Sequence, residues 1–561
     1  MDMLSAAAVK AHLGRDEEYA LLDVREQEEY SREHPLLACC LPLSRLEILA
    51  PDLLPCCATP LFLMDSGDSA QECDTPGQPP RAQRAAAILT AMGYARVSVM
   101  EGGLRAWKET GFVSFTGVGA LSKAFGELVE EELHTPRLEP AEVKAMLARD
   151  ENVAVVDIRP REEYAAMSIP GSINAPGCEV TTRIADLVPD PATLIVVNCA
   201  GRTRSIIGTQ TLRNAGVPNR VAALKGGTMN WRLSGFELEH GANRHSAPPS
   251  CAALDLARVR AARVARDYGV EFADLEDLRR WQKETDRHAL YIFDIRQPEE
   301  FLAGHLPGSR NAPGGQLVQA TDEYAAVRQA RYLLVDDTEV RAVMTAHWLK
   351  QMGLRHVAVL RGGLGGSGAG RLGLVSGSES HRLVSLPSLA GPSSPIALTL
   401  TQLQAALSGP RAPLCINVGE SRRHRQGHIP GALWVVRARL ARVRAAWPDA
   451  RDIVLSADEE TLARLAAVDA QTLWPEAQVR FLTGGNASWG AAGLPLEKGM
   501  PQAYSAEDDI WYKPYEDVNA KAEAMSGYFS WEASLVQDTR RDGDAGFRLR
   551  QPPDAGVVRS S

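Results

Sequence analysis

The feature that most constrains this chain is a segment that occurs four times, each time as a short apolar strand followed by a turn. The copies begin at Leu21 ("LLDVREQEEY"), Val155 ("VVDIRPREEY"), Ile292 ("IFDIRQPEEF") and Cys415 ("CINVGESRRH"). Each is followed by a glycine pair whose first members, 124, 136 and 122 residues apart, are Gly102, Gly226, Gly362 and Gly484. That period is the size of a whole domain, so the chain is predicted to contain four tandem domains.

Within each repeat, β-branched apolar runs alternate with helical stretches, as in "TLIVVNC", "RSIIGTQTLRNAG" and "RVAAL". This alternation is typical of βαβ units and of a parallel sheet that is buried on both faces. The fold class is therefore predicted as α/β, with each domain a small parallel sheet that has helices on both faces. The predicted domains are 1–112, 138–240, 271–365 and 397–496, followed by an aromatic-rich C-terminal tail over 497–561.

The segments between the domains are predicted to be linkers, because they are rich in Gly, Pro or Ser or have the pattern of a bridging helix. They cover residues 113–137, 241–270 and 366–396. Residues 71–80 have the composition of a surface-loop insertion in the first repeat. The aromatic tail is expected to pack against a domain and the last dozen residues to fray.

Composition excludes several classes of function. The net charge is -9 with interspersed signs, which argues against nucleic acid or a membrane surface as the main partner. The start of the chain lacks the pattern of a signal peptide, and no apolar run approaches the roughly 18 residues of a membrane span. Nine cysteines, an odd number, favour a reducing compartment, so a cytoplasmic location is expected.

The cysteines of the first repeat are not predicted to bind a metal. Five of them crowd one stretch: Cys39, Cys40, Cys56, Cys57 and Cys73. Adjacent cysteine pairs suit a tetrahedral zinc site poorly, because zinc ligands are usually separated by about two to four residues. They are interpreted as small core residues and loop thiols.

One cysteine stands out when the central strands of the repeats are compared. Alignment of their apolar runs places Asp65, Asp337 and Ala457 opposite Cys199. Two carboxylates at this position indicate a loop that meets water rather than a core thiol. A nucleophile is therefore predicted in the second repeat alone, and the other three repeats are predicted to be inactive.

Cys199 follows a predicted parallel strand directly, and ligand sites of parallel α/β sheets lie at such carboxyl ends. The loop "CAGRTR" leads into a helix expected to open at Ser205, so its backbone N–H groups can converge on the sulfur as an anion nest. Glycine allows this loop to curl tightly, and its arginines add positive charge. Together these features are expected to lower the thiol pKa from about 8.5. The predicted cradle residues are Ala200, Gly201, Arg202, Thr203 and Arg204.

With these motifs, nearly the whole chain resembles the rhodanese family of sulfurtransferases, specifically the bacterial type with four tandem rhodanese domains. The resemblance rests on acidic strand ends, on "HLPGS" and "HIPGA" turns, on "GG…W" helices, and above all on the segment "NCAGRTRSIIGTQTLRNAG". The acidic strand ends are Asp23, Asp157 and Asp294, and the two turns begin at His305 and His428. The long segment begins at Asn198.

The resemblance implies that Cys199 accepts a sulfane sulfur as a persulfide and that residues 200–204 hold it. The two arginines would contact an anionic donor such as thiosulfate, and cyanide, a thiol or a protein would accept the sulfur in a double displacement. No metal, nucleotide or organic cofactor is expected. The sequence departs from the family pattern at Ser168, where a histidine is expected and no base is therefore assigned, and in the fourth repeat at Asn417 and Gly419.

Four further residues are assigned supporting or secondary roles. Asp157 and Arg159 are expected to organise the loop through ion pairs with the "REEY" segment, and Ser205 supports the cradle. Cys178 is either a resolving thiol or, as we favour because the third repeat has glycine there, a loop residue with no chemical role.

Two other functions stay open from the sequence. A cysteine phosphatase needs five residues between its cysteine and arginine, whereas four separate Cys199 from Arg204. A non-enzymatic scaffold that relays or senses persulfide is the main alternative, because a fold alone does not confer activity. In a sulfurtransferase, the inactive repeats are expected to wall the site of the second repeat and to restrict which acceptor reaches it.

Overall fold

The computed structural model describes residues 2–68, 73, 78–365, 373–378, 395–514 and 521–551. Most of the predicted linker over 366–396, most of the insertion over 71–80 and nearly all of the fraying end lie outside these residues. The chain divides into two compact units. One unit contains the first and fourth sheets, and the other contains the second and third sheets together with a long C-terminal helix.

The described strands form four parallel sheets of five strands, and all four have the same strand order, β1-β5-β4-β2-β3 in the first. The predicted α/β class and the parallel sheets are thereby confirmed. In chain order the strands are β1 Asp2–Leu4, β2 Ala20–Asp23, β3 Ala38–Cys40, β4 Leu61–Met64, β5 Val97–Met100, β6 Arg137–Leu138, β7 Val153–Asp157, β8 Ile173–Asn174, β9 Leu194–Asn198, β10 Val221–Leu224, β11 Glu271–Ala273, β12 Leu290–Asp294, β13 Arg310–Asn311, β14 Arg331–Val335, β15 His356–Leu360, β16 Ile396–Leu398, β17 Leu414–Asn417, β18 Leu433–Trp434, β19 Asp452–Ser456 and β20 Gln478–Leu482.

Helices connect the strands and the repeats. In chain order the described α-helices are α1 Ala6–Leu13, α2 Gln27–Arg32, α3 Leu46–Leu53, α4 Arg81–Ala91, α5 Gly103–Glu109, α6 Ala120–Leu133, α7 Pro140–Ala148, α8 Arg161–Ala166, α9 Val180–Leu187, α10 Thr203–Asn214, α11 Gly227–Leu233, α12 Cys251–Tyr268, α13 Leu275–Lys283, α14 Pro298–Ala303, α15 Gly314–Gln319, α16 Thr321–Tyr324, α17 Val340–Gln351, α18 Leu400–Leu407, α19 Ser421–Gln426, α20 Leu440–Ala446, α21 Glu460–Leu473, α22 Gly485–Ala491 and α23 Ala522–Asp542. In the described part of the chain, every helix is too short or too polar to cross a membrane.

The second sheet shows why these apolar runs form buried parallel strands. Val156 and Val197 pack into one hydrophobic cluster, while their neighbours Val155 and Val196 pack into another with Trp231. Successive side chains of a strand point to opposite faces, so both faces of this sheet are covered. Strands that are buried on both faces are expected to consist of continuous apolar, β-branched residues, as these strands do.

The glycine pairs form the tight turns that the sequence predicts. The first glycine of each pair has a left-handed backbone, with φ of 69°, 70°, 80° and 70° at Gly102, Gly226, Gly362 and Gly484. In three repeats this residue is the N-cap of a short helix, α5, α11 or α22. Only glycine adopts this conformation without a steric penalty from Cβ.

The first two predicted linkers and the described part of the tail contain regular secondary structure. Helices α6 and α12 lie in the first two predicted linkers. The start of the tail returns to the fourth repeat, where Glu497 bridges His428 and Ala503 bridges Trp434. Helix α23 packs on α6 and α11. The exact domain bounds stay a prediction, since β6 and β16 each begin one residue before the predicted starts of their domains.

Within each unit, two repeats pack on one another through well-defined contacts. Between the second and third repeats, the backbones of Gly177 and Gly315 meet so closely that a Cβ on Gly315 would lie 2.8 Å from Gly177 Cα. In the other unit, the Arg437 guanidinium donates to both carboxylate oxygens of Glu47, at 2.7 and 2.8 Å. Close backbone approach of this kind requires glycine.

We expect Gly315→Ala to destabilise the unit that contains the second and third repeats. Its new methyl group would meet the rigid Gly177 backbone, and such overpacking typically costs about 1–3 kcal/mol of the free energy of unfolding. Gly490→Ala is the matched control, because this helical glycine has open space around its Cβ position and alanine is favoured in helices by about 1 kcal/mol. Urea unfolding followed by tryptophan fluorescence measures both; equal midpoints for the two variants would contradict the assignment.

Candidate active site

Cys199 lies immediately after the central strand β9 and is held there through its carbonyl oxygen. That oxygen accepts hydrogen bonds from the Thr228 N–H and the Thr228 hydroxyl, both at 2.9 Å. The contact depends on Gly227, because a Cβ at this residue would lie 2.2 Å from the Cys199 oxygen. The glycine turn therefore fixes the backbone from which the thiol projects.

The same backbone hydrogen bond identifies the residue that replaces Cys199 in each other repeat. The carbonyl oxygens of Asp65 and Ala457 accept from the residue after the second glycine of their turns, at 2.9 and 2.8 Å. In the third repeat the acceptor is Asp336, at 2.8 Å, and not Asp337. The sequence assignment of Asp337 is thus wrong by one residue. Two adjacent aspartates follow Val335, the last residue of β14. The register of this strand decides which of them corresponds to Cys199.

In the two repeats with an aspartate at this position, the loop binds the carboxylate. Asp336 accepts from the backbone N–H groups of Glu339 and Arg341, at 2.6 and 3.0 Å. Asp65 accepts from those of Gly67 and Ala82, both at 3.0 Å. The carboxylates stand in for an anion in the nest that these loops form at a helix N-terminus.

In the second repeat the sulfur occupies the position of that carboxylate. The Cys199 Sγ donates a hydrogen bond of 3.4 Å to the Ser205 hydroxyl, which donates to the Arg202 carbonyl at 2.8 Å. The residue is only 1% exposed. In the part of the chain that the structure describes, the backbone N–H groups of Ala200, Gly201 and Arg202 have no protein acceptor, so they can donate to an anion at the sulfur.

Helix α10 begins at Thr203, two residues before the predicted start, so Ser205 lies in its first turn. Gly201 is not in the left-handed region, so its role differs from the predicted tight curl. A Cβ there would lie 3.1 Å from Met229 Cε, 3.7 Å from Tyr528 Cε1 and 3.8 Å from Glu532 Oε2. The missing side chain lets helices α11 and α23 cover the loop.

Arg202 and Arg204 are paired with carboxylates. Arg202 donates to both oxygens of Glu127, at 2.6 and 2.5 Å, and to Glu130 at 2.6 Å. Arg204 donates to both oxygens of Glu163, each at 2.7 Å. Burial opposes ionisation of Glu163, but the Arg204 charge overrides it and lowers the pKa of this carboxyl. An anionic donor would therefore meet guanidinium groups whose charge is largely balanced.

Sequence reasoning missed the carboxylates that balance Arg202. Glu127 and Glu130 are three residues apart on helix α6 and therefore share one face. Their spacing was readable from the sequence, but their partner was not, because Arg202 lies 75 and 72 residues away. Burial and the adjacent Glu130 raise the pKa of Glu127, although Arg202 opposes the shift.

The comparison with known proteins agrees with this architecture. The model of the rhodanese-like domain matches residues 5–110, 139–234 and 274–366, which together make up more than half of the chain. The chain belongs to the rhodanese family.

Among solved structures, this rhodanese is similar over its full length to a thiosulfate sulfurtransferase from Pseudomonas aeruginosa. The two chains are 42% identical with a TM-score of 0.90, and the match covers 98% of this chain and 100% of the other. Two curated relatives match short segments of the chain. A transcriptional regulator of the HTH type, Rv0324 from Mycobacterium tuberculosis, is 40% identical over 91 residues, and the uncharacterised protein YqhL from Bacillus subtilis is 35% identical over 72 residues. These matches cover 16% and 13% of this chain, and 39% and 56% of the two relatives.

Asp157, the last residue of strand β7, and Arg159 form a buried pair with each other. The Arg159 guanidinium donates to Asp157 at 2.8–3.0 Å and to the Met167 carbonyl at 2.6 Å. Glu163 of the "REEY" segment forms its direct ion pair with Arg204, and its attraction to Arg159 is through charge alone, so the predicted ion pairing with that segment is correct only in part. Asn198 also donates to Asp157, at 2.7 Å. The pair joins the ends of strands β7 and β9 beside residues 199–204, which we call the sulfur loop.

Cys178 and Ser168, the other two residues of the second repeat that the sequence singled out, are held by contacts within the fold. Cys178 forms a hydrogen bond of 3.2 Å with the Thr345 hydroxyl of the third repeat and lines a cavity of about 270 Å³ between the two repeats. Burial raises the pKa of this thiol to about 11, which suits an unreactive loop residue. Ser168 is fully buried and bridges Glu239 through its backbone. The described residues contain no cluster of three or more side chains suited to holding a metal ion.

We expect Gly126→Ala to reduce sulfur transfer while leaving the fold intact. A Cβ at Gly126 of helix α6 would lie 2.8 Å from Thr203 Cγ2 and 3.2 Å from Thr203 Cα, so the methyl group would displace the end of the sulfur loop. Small displacements of a reacting group can lower rates by about 100-fold. Gly527→Ala in helix α23, where the Cβ position is open, is the control and is expected to keep the wild-type rate. Steady-state kinetics with thiosulfate and cyanide measure both; equal rates would contradict this role of Gly126.

Proposed function

We propose that this rhodanese is a sulfurtransferase that carries a sulfane sulfur on Cys199, taking it from thiosulfate or a similar donor and passing it to cyanide or a thiol. The observation that carries the proposal is the anion nest. Two sister loops bind a carboxylate with their backbone N–H groups, and the second loop presents a thiol there. The likeness to the Pseudomonas aeruginosa thiosulfate sulfurtransferase supports the same reaction.

In the loading step, the Cys199 thiolate attacks the outer sulfur of thiosulfate. A bond forms between the two sulfur atoms, the bond to the sulfonate sulfur breaks, and sulfite leaves with the bonding electron pair. The enzyme becomes a persulfide anion. The unpaired N–H groups of residues 200–202 would stabilise its charge in the proposed geometry, as preorganised donors do in other enzymes.

In the unloading step, cyanide or a thiolate attacks the outer sulfur of the persulfide. The bond between that sulfur and Cys199 Sγ breaks, and the thiolate is regenerated. Ser205 is placed to follow this change, because its hydroxyl can turn from the Arg202 carbonyl toward the ionised sulfur 3.4 Å away. No metal or organic cofactor takes part in this scheme.

The proposal also covers the setting of the reaction. All nine cysteines are free, which suits a reducing compartment such as the cytoplasm. Gln316 of the third repeat reaches the loop of Cys199, where its side-chain oxygen accepts a hydrogen bond of 3.3 Å from Arg204. We therefore propose that the inactive repeats restrict which sulfur acceptor reaches Cys199.

We expect intact-protein mass spectrometry after incubation with thiosulfate to show a gain of one sulfur atom on the wild type and none on Cys199→Ser. Addition of cyanide should remove that atom and form thiocyanate. Cys178→Ser is the matched control within the same repeat and should load as the wild type does. If no sulfane donor loads the wild type, the transferase proposal fails and the scaffold alternative takes its place.

We expect the charge of Arg202 to affect the use of thiosulfate. Arg202→Gln removes a positive charge beside the nest and should lower kcat/KM for thiosulfate by about tenfold, the effect of one charge at short range in a partly screened site. Glu130→Gln removes one of the two carboxylates on Arg202 and should change kcat/KM in the opposite direction. If both variants keep the wild-type kcat/KM, the proposed contact between Arg202 and the donor is wrong.

A further inference from the structure

The C-terminal helix α23 places a carboxyl group against the sulfur loop. Glu532 is 1% exposed. Its Oε1 accepts a hydrogen bond of 3.5 Å from the Thr203 hydroxyl. Its Oε2 has no hydrogen-bond partner in the described residues and lies 3.8 Å from the position that a Cβ on Gly201 would take. A buried acceptor without a partner is costly, so this oxygen calls for an explanation.

The groups around Glu532 favour its neutral form. Burial raises the pKa of Glu532 to about 8, Glu127 adds to the shift, and Lys123 and Arg202 oppose it. Lys123 itself is buried, and its pKa is lowered to about 8 by burial and by Lys513. Tyr528 of α23 also lies beside Gly201, with its Cε1 atom 3.7 Å from the position that a Cβ would take. Near pH 7 the carboxyl therefore carries a proton that it can donate.

We propose that Glu532 makes the reaction of anionic sulfur donors at Cys199 depend on its own protonation. The neutral carboxyl donates a hydrogen bond to the anion that enters the loop beside Gly201, and the ionised carboxylate repels it. This inference rests on the proposed function of Cys199. It adds a residue, from a helix outside the four repeats, that contacts the substrate and sets donor specificity.

The proton of Glu532 stays on the carboxyl during the reaction. Thiosulfate brings two negative charges and sulfite removes two, so loading of Cys199 needs no proton transfer. The group acts only through its hydrogen bond and its charge. Since a carboxyl is neutral below its pKa, the favourable form is present below about pH 8 and is lost as the pH rises through that value.

The test compares the rate of sulfur loading from thiosulfate in wild type and Glu532→Gln at several pH values. Glutamine keeps a hydrogen-bond donor but cannot ionise. The ratio of the variant rate to the wild-type rate should be near one at about pH 6.5 and rise to about tenfold at about pH 9, where repulsion slows the wild type.

Three further variants make the readout specific. Glu523→Gln lies on the same helix at an exposed position and should match the wild type at every pH. Glu532→Asp keeps an ionisable group and should retain a loss of rate at high pH. Lys123→Gln identifies the titrating group, because a pH dependence that belonged to the lysine would vanish there and persist in Glu532→Gln.

The outcomes separate this inference from the proposal on which it rests. If the wild type gains no sulfur at any pH, the proposed function itself fails. If the wild type loads and Glu532→Gln shows the same pH dependence, the role of Glu532 is overturned and the proposed function stands. Circular dichroism of each variant shows that it is folded before the rates are compared.

Discussion

The hydrogen bonds from Thr228 to the Cys199 carbonyl are the constraint on which the site depends. They tie the start of the sulfur loop to the glycine turn that follows β10, and Gly227 makes the approach possible. The equivalent backbone bond is present in the other three repeats. The glycine pairs are therefore maintained by the geometry of the sheet edge, and they recur in the three repeats that have no cysteine at the position of Cys199.

The same loop geometry explains how a repeat can lose its thiol and remain folded. A nest of backbone N–H groups at a helix start needs an anion or water to satisfy it. Asp65 and Asp336 supply that anion from within the chain. Such a loop is internally complete, and its own side chain holds the place where a substrate sulfur would bind. Burial raises the pKa of Asp336 to about 6, yet two backbone donors still hold it.

The sequence was sufficient to predict the features that are encoded locally. The repeat, the parallel sheets, the glycine turns and the position of Cys199 after a strand all follow from short-range patterns, because strands, helices and turns are specified by neighbouring residues. The choice between Asp336 and Asp337 needed the register between strands, which the residues of one loop do not determine.

Contacts between distant segments were not readable in the same way. Arg202 was predicted to face a donor, but its charge is balanced from a linker helix. Glu532 reaches Thr203 from a helix 329 residues further along the chain. Asp157 and Arg159 pair with each other because both are buried beside β9, where their charged groups lie 2.8 Å apart. Each of these differences concerns which segment supplies a partner, and not whether a helix or strand forms.

The position of helix α23 also bears on how the protein is made. A ribosome completes the second repeat long before it reaches Glu532, and domains generally fold in the order of synthesis. For that interval the sulfur loop lacks the helix that later covers Gly201. Docking of α23 thus adds the last wall of the loop, and the site matures in the order in which the polypeptide emerges.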